Sequence, residues 1–151
     1  TLGAFFLNHP PIRKFTVNVH GDHPVVHDMP ESFETADELY FIQVLDPHAT
    51  ILLSTELPED PDPGFGFEVT SDTSLMEDGL NRALGIACER GDGAVAYLAL
   101  GHTHSPATNS QPYVDTSVVA DTATPQIFRG SWETEGFNNL VRNGVRWGLS
   151  T

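Results

Sequence analysis

Apolar and polar residues alternate through Phe15-Thr16-Val17-Asn18-Val19, the period of a strand with one face in a core and the other toward water. Residues 38–44 and 50–53, rich in Ile, Leu, Tyr and Phe, read as two more extended segments, with turn chemistry at Asp46-Pro47-His48 between them. Residues 84–89 and 94–100 predict a hairpin across Arg90-Gly91-Asp92-Gly93. Its second arm, Ala94-Val95-Ala96-Tyr97-Leu98-Ala99-Leu100, is almost continuously apolar, which predicts a strand covered on both faces. Near the C-terminus the period becomes helical: Phe137, Leu140, Val141, Gly144, Val145 and Gly148 share a face. Glu133 and Glu135 at the start and Arg142 and Arg146 at the end complement the helix dipole. Gly144 and Gly148 on the apolar face predict a close backbone approach to a sheet, at a cost in helix propensity.

Two stretches have no period. Residues 56–79 carry Pro58, Pro61, Pro63, Gly64 and Gly66, and residues 105–124 are polar. Irregular segments of this length are usually functional, disordered or part of an interface. At 151 residues, with 39% hydrophobic and 19% charged positions, the chain is expected to form one domain with a real core. It has no run of about 18 apolar residues that could span a membrane as a helix. The opening Thr1-Leu2-Gly3-Ala4-Phe5-Phe6 lacks the basic region and cleavage pattern of a signal peptide. The missing initiator Met points to processing or to a longer parent.

Charge narrows the partners. A net charge of −14, from 21 acidic and 7 basic residues, weighs against nucleic acid and against an anionic membrane surface. It reads as a solubilising surface. The single Cys88 rules out an internal disulfide and a Cys-rich zinc site; it lies in an apolar strand as a small core residue, and a cytoplasmic location fits.

The chain holds no P-loop, dinucleotide fingerprint, Gly-x-Ser-x-Gly elbow or His-Glu-x-x-His. Asp60-Pro61-Asp62-Pro63-Gly64 is a poor calcium loop, interrupted by prolines and lacking later ligands. The histidines carry more. His102-Thr103-His104 follows the apolar strand, where ligands gather in open α/β sheets, and an extended segment would project both rings to one side. His9, in Asn8-His9-Pro10-Pro11, could reach the same place from another direction, whereas His20, His23 and His27 read as turn and surface residues. Asp37 and Glu38 open an apolar segment. Asp37 reads as a partner for backbone N–H groups, and Glu38 equally well as a structural group or as a base or metal ligand. Trp132, at the helix entry, reads as a packing anchor in preference to a sugar platform.

Several of these motifs together resemble the ThuA-like trehalose-utilisation family. They are Asn8-His9-Pro10, His23-Pro24-Val25 with Met29-Pro30, Asp37-Glu38-Leu39-Tyr40, Gly91-Asp92-Gly93-Ala94-Val95-Ala96-Tyr97, Leu100-Gly101-His102, and the 137–147 helix with Asn143-Gly144. The resemblance implies a flavodoxin-like α/β sandwich similar to class I glutamine amidotransferases, with residues 1–151 as one domain. Against that pattern the chain looks like the C-terminal two-thirds, lacking the N-terminal strands, with residues 105–124 inserted beside the site. It further implies a protein of carbohydrate metabolism acting on a disaccharide or keto-sugar.

The expected site has Glu38 and His102 as catalytic groups and Tyr40 and His104 lining the pocket. His9, Glu38 and His102 would hold a divalent metal such as zinc, and no nucleotide cofactor is expected. A metal-assisted hydrolase or isomerase is one expectation; a non-catalytic sugar-binding or assembly module is the other. Beyond the sugar, the expected partner is a second copy or a missing N-terminal segment that covers open sheet edges.

Overall fold

Strand alternation gives each face of a sheet its own surroundings. The computed structural model describes residues 2–57, 73–107 and 113–150. Within them lie seven strands: β1 (Ala4–Asn8), β2 (Arg13–Val19), β3 (Ser32–Asp37), β4 (Phe41–Val44), β5 (Thr50–Glu56), β6 (Asn81–Arg90) and β7 (Gly93–Leu98). One helix, α1 (Glu135–Gly148), follows a 3₁₀ turn at Gly130–Glu133. Asp60 to Gly64 lie outside the described residues, as do 58–72 and 108–112 of the two aperiodic stretches.

The larger sheet runs β3-β2-β5-β6-β7, and β1 pairs with β4 in a smaller one. Every one of these pairings is antiparallel. The fold is thus a mixed α/β arrangement built mostly from strands. The flavodoxin-like expectation finds no parallel ladder among the described residues; the parallel contact there is the isolated bridge Ile12↔Val114. Among the described residues no helix is long and apolar enough to cross a membrane.

Phe15 and Val17 of β2 point inward while Lys14 and Thr16 face water, as the alternation predicts. The main core joins them to Leu52, Leu53, Leu84, Phe137 and Leu140, so α1 seals this side of the sheet. The next residue along β6, Ala83, points the other way into a second cluster with Ile42 and Ala99. β6 is therefore the strand covered on both faces. The expectation of cover on both faces holds in part for β7: Leu98 packs on the main core and Tyr97 on the second cluster, but the strand lies at the end of the sheet and leaves Ala96 exposed. Small residues explain the difference: Ala94, Val95 and Ala96 make an apolar run that can lie at an edge without a large apolar surface. The hairpin turn is as predicted, with Gly91 at φ +59°.

Helix α1 begins at an N-cap, Thr134, whose side chain accepts from the Phe137 N–H. Close approach occurs at its first turn and away from the two predicted glycines. A Cβ on Gly136 would lie 2.7 Å from the Phe33 ring, whereas one on Gly144 would reach only Ala96 at 4.0 Å and one on Gly148 nothing within 4 Å. Cys88 is buried, as expected.

The contrast between β6 and β7 is measurable. Leu84→Ala should destabilise the protein by about 2–5 kcal/mol in urea denaturation. Val95→Ala on the edge strand should cost less than half as much; equal costs would contradict the assignment of β6 as the covered strand.

Candidate functional site

Asp37 ends β3 fully buried. A carboxylate there needs donors in place of water. Its Oδ1 accepts from the N–H groups of Glu38 at 2.8 Å and His102 at 3.1 Å. Its Oδ2 accepts from the N–H groups of Gly101 at 2.8 Å and Ser131 at 3.3 Å, and from the Ser131 hydroxyl. Burial still pushes the carboxyl above its ordinary value, against the pull of these donors. Two glycines make the gathering possible. Gly101 has φ +102°, and a Cβ on it would lie 2.9 Å from the Phe137 ring. Gly130 has φ +53°, and a Cβ there would meet the His102 carbonyl oxygen at 2.9 Å and that of Ala36 at 3.1 Å.

Glu38, one residue on, has its carboxylate between two imidazoles. His102 Nδ1 lies 3.0 Å from Oε2, and His9 Nδ1 lies 3.4 Å from Oε1 and 3.0 Å from the Pro10 carbonyl oxygen. The Tyr40 hydroxyl also bonds Glu38. His9 arrives through a register shift in β1 between Phe6 and Asn8, and its ring rests near those of Phe6 and Tyr40. Burial alone would raise the Glu38 carboxyl. The His102 hydrogen bond, the charges of His9 and His102 and the Tyr40 hydroxyl outweigh it and hold Glu38 below its ordinary value. His102 moves the opposite way, raised by its hydrogen bond to Glu38 against desolvation. Burial, with the charge and hydrogen bond of Glu38, pushes the Tyr40 phenol up to about 12.

A cavity of about 190 Å³ opens beside this cluster, lined by Glu38, Tyr40, Tyr97, Leu98, Ala99, Leu100, Gly101 and His102. His102 Nε2 is buried and has no hydrogen-bond partner among the described residues. With Nδ1–H donated to Glu38, that nitrogen carries a lone pair suited to accepting a proton.

Four of the five expected site residues, His9, Glu38, Tyr40 and His102, come together. His104 does not join them. Its backbone pairs with Phe128, and its side chain lines a different cavity with Trp132. Gly101 to Thr103 belong to no strand, and the His102 and His104 side chains line different cavities. The side chains also do not fit the expected metal. Both Nδ1 atoms face Glu38, each Glu38 oxygen faces an imidazole, and among the described residues no three His, Cys, Asp or Glu side chains form a metal-binding group. His20 bonds Ser54, His23 caps the 3₁₀ turn Pro24–Val26, and His27 is exposed, in keeping with turn and surface roles. Ser131 and Gly130 were not foreseen as site residues; the short Gly-Ser step before Trp132 was their only trace in the sequence.

Fold and site together define an antiparallel α/β domain with a buried carboxylate–histidine cluster at the end of its sheet. The family model for ThuA, trehalose utilisation, matches residues 1–118, and the chain belongs to that family. No curated protein matches significantly. Among solved structures, a thua-like protein from Parabacteroides merdae ATCC 43184 is 18% identical, with a TM-score of 0.53 over 97% of this chain and 40% of that one. A thua-like protein from Bacteroides uniformis ATCC 8492 is 20% identical, with a TM-score of 0.53 over 99% of this chain and 49% of that one. The likeness is one of fold, and this chain spans less than half the length of either structure.

Asp37→Ala should cost about 3 kcal/mol or more in urea denaturation, because it strands several buried donors at once. A loss below about 1 kcal/mol would show that water replaces the carboxylate. The Glu38–His102 pair sets a pH window. The contribution of Glu38, lowered from 4.5, is present above that value and lost as pH falls through its folded pKa. That of His102, raised from 6.5, is present below that value and lost as pH rises through its folded pKa. The gap in Tm between the natural protein and Glu38→Gln should therefore be widest between pH 4.5 and 6.5. A gap that stays constant with pH would contradict the pairing.

Proposed function

We propose that this protein is an enzyme of carbohydrate metabolism that moves a proton on a disaccharide or keto-sugar, in a hydrolytic or isomerising step. The family match supports the substrate class. The observation that carries the chemistry is the His102–Glu38 pair, which lines the cavity and whose buried Nε2 has no hydrogen-bond partner among the described residues.

In the isomerising form of this reading His102 Nε2 takes the proton from the carbon beside a keto group. It returns it to the neighbouring carbon as the hydroxyl proton moves to the former carbonyl oxygen. In the hydrolytic form it takes a proton from the water that adds to the sugar as the glycosidic C–O bond breaks, and gives it to the departing oxygen. Glu38 keeps the proton on Nδ1 and stabilises the imidazolium that forms. His9 and Tyr40 hold the carboxylate in place. Tyr40 stays protonated throughout the working pH range and acts as a donor.

The test is turnover of trehalose and its oxidised keto form, followed by product analysis. His102→Ala should lower the rate by about 10²–10⁴-fold while the protein stays folded. In the natural protein activity should fall as pH drops through the His102 pKa, which lies above 6.5. Glu38→Gln should move that limb toward lower pH. Sugar binding with no turnover, unaltered in His102→Ala, would sink the enzyme reading. A stoichiometric metal in elemental analysis, lost together with activity on chelation, would replace the proton-transfer mechanism with a metal-centred one.

A further inference from the structure

A second cavity, of about 440 Å³, is lined from Thr103 onward, the residue that follows His102 in the chain. Thr103, His104 and Ser105 form one wall, and Ile127, Phe128, Arg129 and Trp132 form the other. Its size lies within the range of small-molecule sites, about 300–1,000 Å³, whereas the cavity at Glu38 lies below it. A disaccharide is therefore larger than the first cavity alone accommodates.

Trp132 is the unusual member of this lining. Large aromatics lower their free energy by burial, yet this indole is 45% exposed. It is also held rigidly. Its Nε1–H donates to the Gly101 carbonyl oxygen at 2.9 Å, and its ring meets Phe137 edge-on with centroids 4.9 Å apart. Ile127, 64% exposed, extends the apolar surface, and Arg129 adds a cationic fork of donors. His104 is fixed by two backbone hydrogen bonds with Phe128, of 2.8 and 2.9 Å. Its Nδ1 is buried without a hydrogen-bond partner among the described residues. A fixed, exposed indole beside unspent polar groups matches a pyranose ring, which offers a C–H face for stacking and hydroxyls at its edge.

We infer that the Trp132 cavity is a second carbohydrate subsite, in which a pyranose ring stacks on the indole and a ring hydroxyl bonds His104. The inference rests on the carbohydrate reading above and adds to it the residues that bind the ring remote from His102. Because Trp132 is bonded to Gly101, a ring on the indole also bears on the turn that presents His102.

Trehalose and glucose are the probes, with binding followed by tryptophan fluorescence and by calorimetry. Trehalose should bind saturably and more tightly than glucose, and Trp132→Ala should weaken trehalose binding about tenfold or more. Ile127→Asp, at the rim and outside the core, provides the second variant. It should weaken trehalose binding several-fold without lowering Tm, which separates loss of the subsite from loss of the fold. His102→Ala should keep the trehalose-dependent change in fluorescence. If His102→Ala leaves turnover intact, the catalytic reading fails while the subsite stands. If both Trp132→Ala and Ile127→Asp bind trehalose as tightly as the natural protein, or the natural protein binds none, the subsite is overturned whatever the turnover.

Discussion

A carboxylate taken out of water raises the free energy of the fold unless the donors that replace its hydration arrive together and in the right directions. Asp37 meets that condition with donors from three separate parts of the chain: Glu38 beside it, Gly101 and His102 after β7, and Ser131 before α1. The three segments are tied to one another because each is tied to the same two oxygens. Gly101 and Gly130 follow from this. With the segments gathered at Asp37, a Cβ on Gly101 would meet the Phe137 ring, and one on Gly130 the carbonyl oxygens of His102 and Ala36. The position of His102 is then set from the main chain inward, by its own N–H on Asp37.

One peptide step separates two acids with opposite fates. Asp37 points into main-chain donors and is raised by burial; Glu38 points into side-chain donors and is lowered by its histidines in spite of burial. The short Asp side chain suits amides close to its own backbone, and the longer Glu reaches rings brought in from β1 and from beyond β7. The arrangement divides labour. Asp37 fixes where the segments lie, and Glu38 tunes the imidazole that those segments present.

Much of this was legible in the sequence because the signals were local. The alternation around Phe15 and Val17, the Gly91-Asp92 turn and the helical spacing from Phe137 to Trp147 each depend on near neighbours, and each matches an element of the fold. Asp37 as an acceptor of N–H groups was readable for the same reason, since Asp commonly does this wherever it is buried near a turn. The failures are non-local. Whether Ala94–Leu98 or Leu84–Ala87 lies at the centre of the sheet depends on which strand pairs with β5, and an apolar run does not record its partners. His102 and His104 part company because His104 is captured by Phe128, 24 residues away. Ser131 gave no warning, because its role exists only once β3 and the C-terminal turn have met.

The C-terminal turn gives the family relation a physical meaning. The matched region stops at residue 118, and it contains His9, Asp37, Glu38, Tyr40, Gly101 and His102. It does not contain Ser131, which supplies two of the donors on Asp37, or Trp132, which holds the Gly101 carbonyl. Without those residues Asp37 Oδ2 would keep only the Gly101 amide, and the Gly101 carbonyl would lose its indole partner. The chemistry-bearing side chains thus lie in the matched region, while the contacts that lock their backbone come from the segment after it. Substitutions in residues 130–134 should therefore act on His102 through its main chain.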